Sequence, residues 1–160
     1  MKSILTSFIL ALLIISCSSN KEKEIYVVRQ PAEFETQEAI WLIWPATDYK
    51  EGESTEKVTL SIIEAIAGSE KIVITCKNDS ILKHAKEVVK NQLGEVKNIT
   101  FLELPNIDMW ARDMGPIFVE TSDNKMAIAD FNFNNWGYTD TLDVDAKTEE
   151  MFDVNVAKKF

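Results

Sequence analysis

The chain has little of the chemistry that metal sites and phosphate-binding loops require. Its 160 residues include one histidine and two cysteines, and its five glycines form no glycine-rich loop. Because a structural zinc ion takes about four Cys or His ligands, we expect neither a metal nor another cofactor. Basic residues are also few, since 17 Lys and Arg stand against 26 Asp and Glu, and they form no stripe. We therefore expect no nucleic acid partner.

The remaining composition is that of a folded protein with one domain. Apolar residues make up 46% of the chain and charged residues 27%, a balance typical of globular proteins. A chain of this length buries a sizeable core. The formal net charge of −9 weakly favours encounter with small cations.

The N-terminus has the layout of a secretory signal. Residues 1–16 contain Lys2 and then an apolar run too short for a comfortable membrane span. The run ends at Cys17 in a pattern that resembles a bacterial lipobox, so residues 17–30 are predicted to be a lipidated cysteine and a polar tether. This predicts a chain anchored by lipid to a bacterial cell envelope, on a side of the membrane left open. The alternative is an ordinary signal peptide with a chance cysteine.

The remaining cysteine and the one histidine both have structural interpretations. Cys76 ends an apolar segment and has no second thiol within the folded part, which favours a buried, unreactive side chain. His84 shares the polar face of a predicted helix with Ser80, Glu87 and Asn91, which favours a solvated surface position. Neither residue is assigned to catalysis.

Alternating apolar segments and amphipathic stretches predict an α/β domain with a mixed sheet. Strands are expected at 39–44, 71–76 and 99–104, and helices at 54–67 and from Asn78 or Asp79 to 93. The first helix is expected to bury the face that carries Val58, Ile62, Ala65 and Ile66. An antiparallel hairpin at 117–119 and 126–129 follows, then a polar-aromatic loop at 132–138 and a final helix at 147–159.

The segment IDMWARDMGPIF, residues 107–118, groups unlike side chains in the loop after the third strand. A carboxylate such as Asp113 pairs naturally with a guanidinium, and Trp110 can stack on the same flat cation. Together they predict a slot for a guanidino group at the carboxyl end of a sheet. The alternative is structural, with Arg112 paired to Asp108 or Asp113 and Trp110 capping the sheet. The loop at 131–138 has the same two interpretations, a pocket wall or a hydrogen-bonded connection.

Three blocks, in order, resemble the agmatine deiminase family, which is related to the bacterial peptidyl-arginine deiminases. They are PAEFETQEAIWLIWP at 31–45, DMWARDMGPIFV at 108–119 and DFNFNNWG at 130–137. The resemblance implies that residues 31–160 are the N-terminal part of a deiminase domain. It also implies an α/β propeller of pseudo-symmetric ββαβ-type modules with mixed sheets, incomplete at the C-terminus.

The same resemblance implies a hydrolase that converts a guanidino group to a ureido group and releases ammonia, as from agmatine to N-carbamoylputrescine. It assigns Trp110 and Asp113 to substrate binding and places Trp136 at the pocket rim. The family's catalytic His and Cys are expected downstream of Phe160, so the 160 residues alone are predicted to be inactive. The implied partner is a small cationic guanidino compound, without a cofactor.

Two further functions remain open. Peptidyl arginine is an alternative substrate, which a cell-surface location favours. A surface lipoprotein that only binds guanidino compounds, or that has decayed from an enzyme, is the other. Oligomeric state is not indicated by any pattern in the chain.

Overall fold

The computed structural model of the chain describes residues 23–46, 54–95, 97–106, 108–131, 133–137, 147–148 and 151–159. The predicted signal peptide and Cys17 lie outside these residues. Within them, no helix has the length and apolar character needed to cross a bilayer.

The first half of the domain is built on a parallel sheet. Its strands are β2, Ile40–Ile43, β3, Ile72–Cys76, and β4, Ile99–Glu103, in the order β2-β3-β4. Ile40 pairs with Ile72, which in turn pairs with Ile99. The central strand is almost wholly buried, as expected for a continuous apolar run in a parallel sheet.

Two helices, α1, Thr55–Ile66, and α2, Asp79–Leu93, connect these strands. The α2 helix begins where predicted, because the Asn78 side chain accepts a hydrogen bond from the backbone N–H of Ile81 at 3.0 Å. It ends at Gly94, whose φ of 76° is a value that glycine adopts without a Cβ clash. The core between the helices and the sheet is formed by buried side chains: Trp44, Ile63, Ile72, Ile74, Cys76, Ala85 and Val89.

The predicted buried face of α1 is wrong in part, since of its four residues Ile66 does pack against the core. The helix buries Thr55, Thr59 and Ile63, whereas Val58 and Ile62 are 42% and 41% exposed. The reason is that the Thr59 hydroxyl donates to the backbone carbonyl of Thr55 at 2.9 Å. A threonine whose hydroxyl is satisfied within its own helix packs like a small apolar residue. A prediction that counts only apolar residues therefore misses a buried helix face that contains threonines.

A second sheet is antiparallel and separate from the first. Its strands are β1, Val27–Arg29, β5, Ile117–Thr121, and β6, Met126–Ala129, in the order β1-β5-β6. The predicted hairpin is confirmed as β5 and β6, but the predicted single mixed sheet is wrong, because the hairpin pairs with β1 and not with the parallel strands. The β1 strand lies within the residues expected to be a tether, so ordered structure begins before residue 31.

Short elements and a second core cluster complete the domain. A one-turn helix α3, Ala111–Met114, precedes β5, a 3-10 turn spans Asn135–Gly137, and α4 spans Phe152–Ala157 in the second half of the predicted last helix. The cluster consists of Ile43, Leu104, Met114, Phe152 and Val156. It packs the carboxyl ends of β2 and β4 against α3 and α4, and so fixes the surroundings of the predicted slot.

Candidate functional site

The WARDMG stretch is folded as a single helical turn with one face inward. The Trp110 carbonyl accepts hydrogen bonds from the N–H groups of Asp113 and Met114, at 3.0 and 3.1 Å. Met114 is fully buried in the second core cluster, which anchors the turn. Arg112 and Asp113 consequently face solvent, and the buried Met114 fixes the position of the turn.

Gly115 is required at the end of α3 by a close backbone approach. Its N–H donates to the Ala111 carbonyl at 2.9 Å, and a Cβ at this position would lie closer than 3.0 Å to the same oxygen. Only glycine tolerates such an approach without a shift of the backbone. The glycine therefore allows the chain to turn directly from α3 into β5.

Trp136 reaches the same turn from the loop after β6. Its indole Nε1 donates to Oδ1 of Asp113 at 3.3 Å, and its ring packs edge-on against Phe133 with centroids 5.0 Å apart. The Trp136 backbone has φ 55° and ψ 23°, a left-handed conformation that is uncommon for a bulky residue. Strain of this kind is characteristic of functional sites that are held by their surroundings.

A cleft of about 340 Å³ lies beside Asp113. Residues from α3, the β5–β6 hairpin, the aromatic loop and α4 line it: Arg112, Asp113, Met114, Gly115, Ile117, Ala129, Phe131, Phe133, Asn134 and Asp153. Its wall thus combines aromatic faces with carboxylates. The volume is within the range of small-ligand sites.

Of the predicted binding residues, the structure brings Asp113 and Trp136 into direct contact. Trp110 lies at the start of the same turn and is 46% exposed, but within the described part of the chain it does not line the cleft. The predicted stacking of its indole on a cation bound at Asp113 therefore remains a prediction. Within the described residues, Trp136 does not line the cleft either, and it reaches the site through its hydrogen bond to Asp113.

The guanidinium of Arg112 bonds neither of its predicted partners, Asp108 and Asp113. It donates to the carboxylate of Glu33, which lies outside the WARDMG stretch and precedes β2. That contact raises the pKa of Arg112, with Asp113 adding a smaller effect in the same direction. Asp108 instead accepts a hydrogen bond from the N–H of Met109 at 2.7 Å. The spacing within the motif does not predict a contact with Glu33, which is 79 positions away in sequence.

Asp153 is the cleft residue that sequence reasoning missed. It is 4% exposed, and burial, followed by a hydrogen bond with the carboxyl group of Asp130, raises its pKa. Its position between Phe152 and Val154 suggested only a helix with moderate periodicity. The sequence contains no local indication that an acid would be buried there.

Cys76 and His84 lie outside the site, as predicted. Cys76 is fully buried in β3, and desolvation raises the pKa of its thiol to about 12. His84 is on the exposed side of α2, where its Nε2 lies 2.6 Å from Glu56 Oε2. A thiol that keeps its proton is a poor nucleophile, so Cys76 has the properties of a core residue.

The arrangement suits recognition of a flat cation. The Asp113 carboxylate offers oxygen acceptors for paired N–H donors, and the aromatic side chains of Phe131 and Phe133 line the adjacent space. Among the described residues, no group of three or more His, Cys, Asp or Glu side chains is placed to hold a metal ion. Fold and cleft together define an α/β protein with a cleft lined by acidic and aromatic side chains.

Comparison with known proteins identifies the family. Residues 29–159 match the Porphyromonas-type peptidyl-arginine deiminase family, and the chain belongs to that family. It is 34% identical over 112 residues to a protein of Streptococcus mutans named "Putative agmatine deiminase". That match covers 68% of this chain and 30% of the relative. The chain therefore spans about a third of the length of such relatives.

Solved structures give the same result. The X-ray structure of a protein named "putative agmatine deiminase" superposes with a TM-score of 0.66 at 28% identity, over 82% of this chain and 36% of that one. The agmatine deiminase of Enterococcus faecalis superposes with a TM-score of 0.65 at 24% identity, over 82% of this chain and 35% of that one. The second likeness concerns the fold alone.

Proposed function

We propose that this chain is the substrate-anchoring part of an agmatine deiminase-type hydrolase. In the reaction, a water oxygen is added to the central carbon of a guanidino group, one C–N bond breaks, and ammonia leaves. The product carries a ureido group, so that agmatine becomes N-carbamoylputrescine. The observation that carries the proposal is the Asp113–Trp136 contact beside the cleft, in a chain of the deiminase family.

The role of Asp113 follows from the charge of the substrate. A guanidinium is a weak electrophile because its positive charge is delocalised over three nitrogens. Pairing with a fixed carboxylate orients its central carbon and draws charge toward one side. The indole N–H of Trp136 bonds Oδ1 of Asp113, which fixes the direction of the carboxylate. Trp110, at the start of the same turn, is proposed to stack its indole on the bound cation.

The chemical step needs a thiolate and a proton donor from outside these 160 residues. The thiolate would attack the guanidino carbon, and a histidine would protonate one amino group so that its C–N bond breaks and it leaves as ammonia, before water hydrolyses the covalent intermediate and releases the thiolate. Cys76 does not supply the thiolate, because it is buried in a strand with its pKa raised to about 12. The 160 residues alone are accordingly proposed to bind the substrate without turning it over.

A second candidate substrate is arginine within a peptide. Phe131, which lines the cleft, is 72% exposed, and a lipid-anchored chain at the cell surface would meet peptides. Turnover of free agmatine against an arginine-containing peptide by the full-length protein decides between them. A binding-only or decayed lipoprotein would bind one of these ligands and turn over neither.

The first experiment is to sequence the genomic DNA downstream of the Phe160 codon and to assay the encoded protein for ammonia release. We expect an open frame with a downstream His and a late Cys, and activity that is lost in Asp113→Asn. A frame that stops at Phe160, together with no ammonia release from either substrate, would contradict the enzymatic proposal.

We also propose that Cys17 carries a lipid that anchors the protein to the bacterial cell envelope. The support is the apolar run of residues 4–15 followed by Cys17 and a polar segment. Labelling with a radioactive fatty acid in the source bacterium tests it, with Cys17→Ser as the matched variant. Equal labelling of the two proteins would contradict the anchor.

A further inference from the structure

One basic side chain stands in the wall of the cleft that is proposed to take a cation. Among the cleft-lining residues that the structure describes, Arg112 is the one with a positive charge. It is adjacent in sequence to Asp113, and both belong to the single turn of α3. A guanidinium beside a carboxylate ordinarily pairs with it. Arg112 is therefore a competitor, within the chain itself, for a guanidino ligand at Asp113.

The structure shows this guanidinium engaged by a different acid. Nη1 of Arg112 donates to Oε1 of Glu33, and the two side chains are 81% and 74% exposed. The hydrogen bond from Arg112 lowers the pKa of Glu33, so the glutamate is charged at neutral pH. An exposed pair of this kind adds little to folding stability, because water and salt screen it. Its effect on the cleft is larger, since it neutralises Arg112 and directs the guanidinium to a carboxylate other than Asp113.

The turn that carries Glu33 is fixed to the second sheet. The N–H of Glu35 donates to the Ala32 carbonyl at 3.0 Å, and the Glu35 carboxylate accepts from the N–H of Ala32 at 2.8 Å. The same carboxylate accepts from Arg29 at 2.7 and 3.0 Å. Arg29 in turn bonds both carboxylate oxygens of Glu120 on β5, at 2.6 and 2.9 Å. Glu33 is thus presented by a turn with several contacts, which a side chain that positions another requires.

We propose that Glu33 is a positioning residue that holds Arg112 away from Asp113 and so keeps the Asp113 carboxylate open to a guanidino ligand. The effect on ligand affinity rests on the proposed function. The effect on where the Arg112 guanidinium lies does not. Without Glu33, the wall of the cleft would carry an uncompensated positive charge, which repels a cationic ligand and can pair with Asp113.

A purely structural role for the Glu33–Arg112 pair predicts a different result. If the pair only holds the turn of residues 32–35 against α3, loss of either partner breaks the same contact and has the same effect on the site. If Glu33 acts by restraining Arg112, the two losses have opposite effects on ligand affinity. Removal of Glu33 releases the competing guanidinium, whereas removal of Arg112 eliminates it.

The first experiment measures agmatine affinity by calorimetry, at low and at high salt, in the full-length protein. It compares the wild type with Glu33→Gln, with Arg112→Gln and with the double variant. The matched control is Glu38→Gln, which removes an exposed acid of the same segment that pairs with Lys71 at 2.6 Å. Lys71 is not among the described residues that line the cleft, so this control should bind agmatine as the wild type does.

We expect Glu33→Gln to weaken agmatine binding about fivefold at low salt and Arg112→Gln to strengthen it. The double variant should resemble Arg112→Gln, because no guanidinium is left to restrain. High salt should reduce the loss in Glu33→Gln, since it screens the repulsion between exposed charges. Equal affinity in Glu33→Gln and the wild type, or weaker binding in both single variants, would overturn the inference.

A crystal structure of full-length Glu33→Gln without ligand separates this inference from the proposed function. We expect the Arg112 guanidinium to lie within hydrogen-bond distance of the Asp113 carboxylate. Such a structure, with no binding of agmatine or arginine to any of the proteins, would support the positioning role and contradict the proposed function. Binding of agmatine, with an Arg112 guanidinium that stays beyond hydrogen-bond distance of Asp113 in Glu33→Gln, would support the function and contradict the positioning role.

Discussion

The indole of Trp136 donates a hydrogen bond to the carboxylate of Asp113 across 23 positions of the chain, at 3.3 Å. The contact joins two of the three sequence blocks that resemble the deiminase family, and it places a fixed acid at the edge of a cleft. A carboxylate that accepts a hydrogen bond from an N–H donor is held in one direction. The contact thus gives a physical reason for the two blocks to occur together.

The turn that carries Asp113 depends on Gly115. In Gly115→Ala the new Cβ would lie closer than 3.0 Å to the Ala111 carbonyl oxygen, so α3 must open or shift. We expect a loss of about 1–3 kcal/mol in the free energy of unfolding, with a weakened affinity for guanidino ligands. Urea denaturation and calorimetry measure the two effects.

Gly68→Ala is the matched control for that substitution. A Cβ at Gly68 meets nothing within 4 Å, and the residue follows the end of α1. We expect its stability to stay within about 0.5 kcal/mol of the wild type. Equal stability of the two glycine variants would show that the close approach at Gly115 is not a constraint.

The left-handed backbone of Trp136 gives a separate prediction. Trp136→Gly and Trp136→Ala both remove the indole, but only alanine retains the conformational penalty at φ 55°. We expect the glycine variant to be more stable than the alanine variant by about 1 kcal/mol, and both to bind agmatine weakly. Thermal denaturation compares the two proteins, and a more stable alanine variant would argue against strain at this position.

Cys76 is expected to be unreactive in the folded protein. Burial raises the pKa of its thiol to about 12, so almost no thiolate exists at neutral pH. In a Cys17→Ser background, with other cysteines replaced in the full-length protein, an aromatic disulfide reagent should label Cys76 only as fast as the protein unfolds. Rapid labelling of the native protein would show that β3 opens or that the thiol is exposed.

The buried acid predicts how stability changes with pH. Because the pKa of Asp153 is higher in the folded state than in the unfolded chain, its contribution to the free energy of unfolding is complete below about pH 3.9. The contribution is lost as the pH rises through the raised pKa. Exposed acids such as Glu35, whose pKa its contact with Arg29 lowers, act in the opposite direction, and they lose their contribution as the pH falls.

Asp153→Asn separates these effects. This substitution should abolish the loss of stability at high pH and leave the loss of stability at low pH unchanged. Melting temperatures over a pH series measure both sides. If the melting temperature of Asp153→Asn falls at high pH as that of the wild type does, the titrating group is another residue.

Local sequence patterns predicted the elements whose signals are local. The strand at Ile72–Cys76, the cap at Asn78 and the hairpin all follow from apolar runs, a capping side chain and turn residues within a few positions. The separation of the two sheets was not predictable in this way. It depends on the pairing of Val27 with Thr121, between segments nearly a hundred positions apart.

The same distinction holds for the site. Trp110 and Asp113 stood out because they are close in sequence, and Trp136 because its loop is rich in aromatics and amides. Glu33, which bonds Arg112, and Asp153, which lines the cleft, come from distant segments. Each is an ordinary acid in its own neighbourhood, and only the folded chain shows what it contacts.

The central claim is that Asp113 holds a guanidino group, and calorimetric titration of agmatine into Asp113→Asn tests it most directly. Asparagine keeps the size of the side chain and an acceptor for Trp136, but it removes the charge. The control variant is Glu87→Gln, which removes an exposed acid from the outer face of α2. A diamine of the same carbon chain length, without the guanidino group, is the control ligand.

We predict that Asp113→Asn weakens agmatine binding by roughly 10- to 100-fold, with an unchanged melting temperature, while Glu87→Gln binds as the wild type does. The diamine should bind weakly to all three proteins. Equal agmatine affinity in Asp113→Asn and the wild type would contradict the assignment of this cleft as a guanidino site.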